Sequence, residues 1–279
     1  MVGATFTTAI PARARETPAR QEGTFADLKG QRVFYTVQGS GKPIILLHGG
    51  IDPDSFGNNR AALAKGRQVI AVHLQAHGRT PDTARPLRFE TLSDDVAALI
   101  AHLHLGKADV MGYSLGAGVA LQTAIRHPSA VDRLALVSGA MRKDGFFPEG
   151  VAAFDQLEAN AGTYGPAVKA SPLGQTYPQV DWTNLFRKVG DLTKRHYDWS
   201  ADVARVQART LLAFADADAM RPDHMVEFWK ALGGGRRDAG IDGSQRPTHQ
   251  FAVVPNTTHY TIPVDPMLPE IVERFLRSE

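Results

Sequence analysis

Short apolar runs recur along the chain, and stretches with helical spacing separate them. Most of the runs hold about five residues without polar alternation, which is typical of strands buried on both faces of a parallel sheet. The first run instead alternates apolar and polar positions, as expected of a half-buried strand. The pattern predicts strands at 32–38, 43–47, 68–72, 108–111, 134–138, 210–214 and 250–254.

Helical periodicity fills the intervals between these strands. With Ser93 as a cap, the second predicted helix would begin just before Asp94 and Asp95. The regular alternation of strands and helices predicts an α/β fold with a mostly parallel central sheet flanked by helices. The predicted helices are 58–65, 92–103, 117–125, 223–232 and 269–277.

The alternation stops between residues 142 and 205. Helical pieces separated by proline and glycine replace it, and residues 145–200 contain nine of the 22 aromatic residues. We expect a helical cap here, inserted after the predicted strand that ends at Ser138 and lying over the carboxyl ends of the strands, where open α/β sheets bind ligands. The predicted organisation is a flexible N-terminal arm (1–24), an α/β core (25–141 and 206–279) and the cap (142–205).

Composition narrows the classes of function. Hydrophobic residues make up 43% of the chain, enough for a large core, and the formal net charge of +2 indicates no nucleic-acid partner. The lack of cysteine excludes disulfides, thiolate metal sites and a cysteine nucleophile. No apolar run is long enough to cross a membrane, and residues 1–22 lack the apolar segment of a signal peptide, so a cytoplasmic location is expected.

A Gly-x-Ser-x-Gly motif lies between a predicted strand and a predicted helix. The motif is Gly112-Tyr113-Ser114-Leu115-Gly116. At such a tight turn the serine oxygen is exposed, and the flanking glycines avoid clashes that a Cβ would cause. Ser114 is therefore the predicted nucleophile.

A serine nucleophile needs a general base, and the base needs an acid that orients it. His259 follows the last predicted strand, while Asp216 and Asp218 both follow the strand before it. The resulting chain order is serine, aspartate, histidine, which is the order of an α/β-hydrolase triad. Asp144, after the preceding strand, is a more distant choice of acid.

Over roughly residues 25–279 the chain resembles an α/β-hydrolase-fold enzyme. Members commonly carry Gly-x-x-Asp as the acid motif; here Ala215 replaces the glycine, so Asp218 is the aligned acid and Asp216 is the alternative. The resemblance also implies an oxyanion hole built from the backbone amides of Gly50 and Leu115. The segments that carry it are Leu47-His48-Gly49-Gly50, Ala76-His77-Gly78-Arg79-Thr80, the serine motif, Phe214-Ala215-Asp216-Ala217-Asp218 and Thr258-His259.

Several further side chains are expected near the site. His48 and His77 are expected to brace loops through hydrogen bonds. A few aromatic residues are expected to face the substrate, and no histidine spacing indicates a metal site. The predicted substrate-binding residues are Tyr113, Phe146, Phe147, Trp182 and Tyr260.

The predicted activity is hydrolysis of a small, mostly apolar carboxylic ester or lactone through an acyl-enzyme, without a metal or organic cofactor. Two other enzyme classes share this layout, namely cofactor-free haloperoxidases or perhydrolases and carbon–carbon bond hydrolases. A small-molecule receptor built on the same fold is the non-enzyme alternative. Haloalkane dehalogenases and most epoxide hydrolases of this fold place aspartate at the nucleophile position, where this chain has Ser114.

Overall fold

A computed structural model describes residues 22–28 and 30–278 of the 279-residue chain. The residues form eight strands and ten α-helices within these ranges. The strands are β1 (Gly23–Leu28), β2 (Gln31–Gln38), β3 (Pro43–Leu47), β4 (Gln68–Val72), β5 (Ala108–Tyr113), β6 (Val131–Val137), β7 (Arg209–Ala217) and β8 (Gln250–Thr258). The helices are α1 (Asn59–Leu63), α2 (Phe89–His102), α3 (Leu115–Arg126), α4 (Pro148–Asp155), α5 (Ala161–Ala170), α6 (Pro172–Thr176), α7 (Trp182–Thr193), α8 (Ser200–Val203), α9 (Pro222–Ala231) and α10 (Met267–Arg277).

All eight strands join one sheet in the order β1-β2-β4-β3-β5-β6-β7-β8. The pairs β1–β2 and β2–β4 are antiparallel, and the remaining neighbours are parallel. The prediction of a mostly parallel sheet flanked by helices is therefore confirmed. In this arrangement the carboxyl ends of β3 and β5 to β8 meet at one edge.

The continuous apolar runs divide their side chains between two cores, because alternate residues of a strand point to opposite faces. In β3, Ile45 and Leu47 join the core that also contains side chains of α2 and α3. Ile44 and Leu46 join the core on the other face, which includes side chains of α10. Each such fully buried side chain contributes about 1.5–3 kcal/mol of hydrophobic stabilisation.

Two local predictions differ from the structure. β1 was not predicted; it starts at Gly23 and pairs with β2, so the last two residues of the predicted arm lie in a strand. Residues 1–21 of that arm lie outside the described residues. Ser93 is not a cap, because α2 already begins at Phe89; its buried hydroxyl donates to the Glu90 carbonyl (2.7 Å) inside the helix.

Between β6 and β7 the chain forms a 3₁₀ turn at Lys143–Gly145 followed by α4 to α8. We call residues 143–203 the helical insertion. Its helix α7 is amphipathic and buries one side, including Trp182, Leu185 and Val189. Among the described residues no helix has the length and apolar character needed to cross a membrane.

Candidate active site

Ser114 occupies a strained turn between β5 and α3. Its backbone φ is +53°, in the left-handed region that non-glycine residues rarely adopt. A Cβ at Gly112 would lie 2.1 Å from the Gly116 carbonyl oxygen, and one at Gly116 would lie 2.2 Å from that of Leu47. Both glycines are therefore required by close backbone contact, and the serine is presented at the apex of the turn.

Three side chains from different elements form a hydrogen-bonded chain at this edge of the sheet. Ser114 Oγ lies 3.0 Å from His259 Nε2, and His259 Nδ1 lies 2.9 Å from Asp218 Oδ1. The imidazole is 5% exposed and the Asp218 residue 8% exposed. Because an ionised carboxylate only accepts hydrogen bonds, Nδ1 carries the proton and Nε2 is free to accept one from the serine hydroxyl.

The Asp218 carboxylate is buried but well supplied with donors. Besides His259, it receives hydrogen bonds from Ser138 Oγ (2.5 Å) and from the backbone amides of Ala215 (3.0 Å) and Ala219 (2.8 Å). Burial opposes the charged form, but the bonds and charge of His259 and the other donors outweigh it. Together they hold the pKa of Asp218 below its ordinary value, so the carboxylate is ionised at neutral pH.

The alternative acids lie elsewhere. Asp216 is exposed, and its two oxygens accept hydrogen bonds from the backbone amides of Asn256 and Thr257, each at 2.9 Å. Asp144 forms an ion pair with Arg142 at 2.7 Å. Of the aspartates considered from the sequence, Asp218 is the one that bonds the histidine.

Gly50 and Leu115, the predicted oxyanion-hole residues, lie on adjacent loops. A Cβ built on Gly50 would lie 3.9 Å from Leu115 Cδ1, which places the two residues side by side. The carbonyl of Gly49 accepts a 2.6 Å hydrogen bond from His48 Nδ1, while Leu74 N donates to His48 Nε2 at 3.1 Å. A peptide unit is planar, so fixing the Gly49 carbonyl also fixes the direction of the Gly50 N–H.

His77 supports the next peptide of the same loop. Its Nε2 lies 2.8 Å from the Gly50 carbonyl oxygen, and its Nδ1 lies 2.8 Å from that of Gln75. Burial lowers the pKa of both His48 and His77. A neutral His77 carries one N–H, so it donates to one of these two carbonyls. The bracing role expected of the two histidines agrees with these contacts.

The residues predicted to bind substrate differ in their burial and in their contacts. Tyr113 is 7% exposed, and its hydroxyl donates to the His259 carbonyl at 2.7 Å, so it holds the histidine loop. Tyr260 is 78% exposed beside His259. Phe146 packs on Phe154 inside the helical insertion. The other two differ sharply in exposure: Phe147 is exposed and Trp182 is buried in the core.

Helix α7 supplies a residue that the sequence did not single out. Val189 Cγ1 would lie 3.9 Å from a Cβ built on Gly50, so α7 covers the predicted oxyanion loop. Its amphipathic periodicity is the sequence feature that could have located it. The helix is attached to the loop after β4, since Lys188 Nζ and Asn184 Nδ2 bond Asp82 at 2.7 and 2.8 Å. Within the described ranges, no group of three histidine, aspartate or glutamate side chains is placed to hold a metal ion.

Comparison with known proteins agrees with this architecture. A family model described as alpha/beta hydrolase fold matches residues 42–164. The sn-1-specific diacylglycerol lipase ABHD11 of Danio rerio is 33% identical over 106 residues, covering 36% of this chain and 32% of that protein. The matches with curated relatives span about a third of those proteins' own length.

Solved structures cover the chain more fully. A thermophilic esterase from Thermogutta terrifontis has a TM-score of 0.69 at 19% identity, covering 92% of this chain and 98% of the esterase. The enol-lactonase of Burkholderia xenovorans has a TM-score of 0.70 at 19% identity, covering 91% of this chain and 100% of the lactonase. At these identities the likeness establishes a shared fold. Together with the match to the family model over residues 42–164 and the sheet order, it shows that the chain has the α/β-hydrolase fold.

Proposed function

We propose that the protein is a serine hydrolase that cleaves a small, mostly apolar carboxylic ester or lactone. The observation that carries this proposal is the hydrogen-bonded chain from Ser114 through His259 to Asp218, with the serine at a strained turn. Hydrolase activity is also supported by the fold family and by its esterase, lactonase and lipase members.

Acylation would begin at Ser114. His259 Nε2 takes the hydroxyl proton as Ser114 Oγ bonds to the substrate carbonyl carbon, and the carbonyl π electrons move to oxygen. Asp218 holds the imidazole in the tautomer that can accept this proton and stabilises the imidazolium that forms. Collapse of the tetrahedral intermediate breaks the bond to the leaving alcohol, which takes the proton from Nε2. Water then repeats the sequence on the acyl-enzyme and releases the acid.

The developing oxyanion would be held by backbone amides of Gly50 and Leu115. His48 supports this arrangement because it fixes the peptide unit that contains the Gly50 N–H. Donors that are already in position lose little energy to reorganisation, and removing one such donor typically costs about 10²–10³ in kcat.

An apolar substrate is favoured by two side chains beside the proposed oxyanion hole. Val189 and Leu115 flank Gly50, and both are aliphatic. Neither side chain offers a charge to bind an anionic acyl group. A short ester with apolar acyl and alcohol groups is therefore the substrate class that we propose.

The experiment compares wild-type protein with Ser114→Ala on p-nitrophenyl acetate, p-nitrophenyl butyrate and γ-lactones. Hydrolysis by wild type and its loss in the variant are expected, and a fluorophosphonate probe should label Ser114. Ser93→Ala is the matched control, because it also removes a hydrogen-bonded hydroxyl but lies in α2. Turnover retained by Ser114→Ala would overturn the mechanism.

The same assay separates the alternatives. Hydrogen peroxide added with the ester would yield a peracid if the protein is a perhydrolase. A carbon–carbon bond hydrolase would leave simple esters uncleaved and would act on a β-diketone. A receptor would bind its ligand and give no more than one equivalent of product.

A further inference from the structure

Ser138 lies directly behind the acid of the proposed triad. It follows the last residue of β6 and is fully buried, and its Oγ is 2.5 Å from Asp218 Oδ2. The sequence indicated only a strand end at this position. A hydroxyl in such close contact with a carboxylate must be the donor, because an ionised carboxylate has no proton to give.

The backbone of Ser138 is strained. Its φ is +49°, in the left-handed region that non-glycine residues rarely adopt. Ser138 N donates to the Ala213 carbonyl at 2.8 Å, so this strained residue still extends the pairing of β6 with β7. Glycine would adopt the same conformation without strain. A glycine at this position would lack the hydroxyl that Ser138 donates to Asp218.

The donors around Asp218 are divided between its two oxygens. Oδ1 receives His259 Nδ1 and the Ala219 amide, whereas Oδ2 receives Ser138 Oγ and the Ala215 amide. The Oδ2 donors prevent rotation of the carboxylate, and this rotation would turn Oδ1 away from the imidazole.

We propose that Ser138 is a positioning residue, whose hydroxyl holds the Asp218 carboxylate ionised and oriented with Oδ1 toward His259. This inference rests on the proposed serine-hydrolase function, in which Asp218 orients the general base. Ser138 itself touches neither the substrate nor the reacting atoms.

A pH effect follows from this contact. The hydrogen bond from Ser138 stabilises the Asp218 carboxylate in two states of the pair. It stabilises the state with neutral His259 more than the state in which a protonated His259 already shares the carboxylate charge. Losing the donor therefore makes protonation of the pair easier, and the acid limb of kcat/KM moves to higher pH. Two titratable side chains lie against the imidazole, namely Tyr113 of β5 and Tyr260 next to the histidine.

The test uses Ser138→Ala, Ser138→Gly and Ser138→Cys in the full chain. Ala and Gly both lack the hydroxyl, but Gly also relieves the backbone strain. We expect both to lower kcat about ten- to a hundredfold with little change in KM, and to shift the acid limb upward. Cys, a weak donor of similar shape, should recover part of the loss. Wild-type kcat and an unchanged acid limb in Ser138→Gly would overturn the proposal.

Two further measurements separate this proposal from the proposed function. Ser114→Ala and fluorophosphonate labelling test the nucleophile without involving Ser138. The downfield proton resonance of His259 Nδ1–H, assigned by its loss in Asp218→Asn, reports on the histidine–aspartate contact even when no substrate is turned over. It should move in Ser138→Ala and stay in place in Ser93→Ala. A resonance unchanged by Ser138→Ala would contradict the positioning role.

Discussion

The hydroxyl of Tyr113 donates a 2.7 Å hydrogen bond to the backbone carbonyl of His259. Tyr113 immediately precedes Ser114, so one side chain ties the strand that ends at the proposed nucleophile to the loop of His259. Its ring also packs against the imidazole, with centroids 5.4 Å apart. Burial raises the pKa of Tyr113, which keeps the hydroxyl protonated and able to donate.

Tyr113→Phe should lower kcat about three- to tenfold, because the lost hydrogen bond loosens the histidine loop while the ring contact remains. KM should change little, because the hydroxyl is already engaged by the His259 carbonyl. Tyr35→Phe is the control: Tyr35 is equally buried, at 7% exposure, but lies on β2. A rise in KM with kcat unchanged would assign Tyr113 to substrate binding instead.

Asn substitutions at Asp216 and Asp218 should have very different effects. Asp218→Asn should lower kcat by about 10³- to 10⁴-fold, because the amide no longer selects the tautomer with a free Nε2. Asp216→Asn should cost less than tenfold, because one oxygen remains to accept from Asn256 or Thr257. The measurement is kcat of both variants on the same ester. Equal losses would mean that both carboxylates act on His259.

Two replacements of His48 separate its two hydrogen bonds. The amide nitrogen of an Asn occupies roughly the position of Nδ1 and can still donate to the Gly49 carbonyl. The amide oxygen of a Gln reaches roughly the position of Nε2 and can still accept from Leu74 N. If orientation of the Gly50 amide matters most, His48→Asn should keep more kcat than His48→Gln. The reverse order would point to the Leu74 contact as the important one.

The buried histidines should make the fold sensitive to acid. Burial lowers the pKa of His224 from 6.5 to about 4 and that of His73 to about 3. Between these values and 6.5 the unfolded chain binds protons that the native state does not. Stability therefore falls as pH decreases from about 6.5, by about 1.4 kcal/mol per pH unit for each histidine.

His224→Gln should make that fall less steep down to about pH 4. The amide oxygen of Gln can accept from Met141 N, as His224 Nε2 does at 3.3 Å, without gaining a proton in the unfolded chain. Urea unfolding at several pH values measures the slope. The control, His102→Gln, changes a histidine exposed on α2. An unchanged slope in His224→Gln would contradict the assignment.

Much of the parallel sheet could be predicted from the sequence, because its strands are short apolar runs, and such a run is best explained as a strand buried on both faces. The runs at 43–47 and 68–72 correspond to β3 and β4 without a shift. The edge strand β1 was missed because Gly23–Leu28 carries mixed polar and apolar residues. Its extended conformation depends mainly on hydrogen bonds to β2, and this pairing cannot be read from the segment alone.

Site residues could be predicted where the backbone conformation restricts the residue type. They could not be predicted where side-chain packing determines which residue reaches the site. The serine motif identified Ser114 because only this combination of glycines fits the turn. Asp216 and Asp218 could not be separated, since they differ by two positions on an irregular end of β7 where pairing with β8 shifts register. The role of Trp182 could not be decided from the sequence for a related reason: an aromatic residue in an insertion is equally suited to its interior, and Trp182 is buried.

The position of Val189 beside Gly50 has an evolutionary consequence. The groups proposed to break bonds lie at the ends of sheet strands, whereas Val189 belongs to a helix between β6 and β7. Changes along one side of α7 can therefore alter which molecules are accepted while the bond-breaking machinery stays intact. Substrate preference in such a chain can diverge faster than its chemistry.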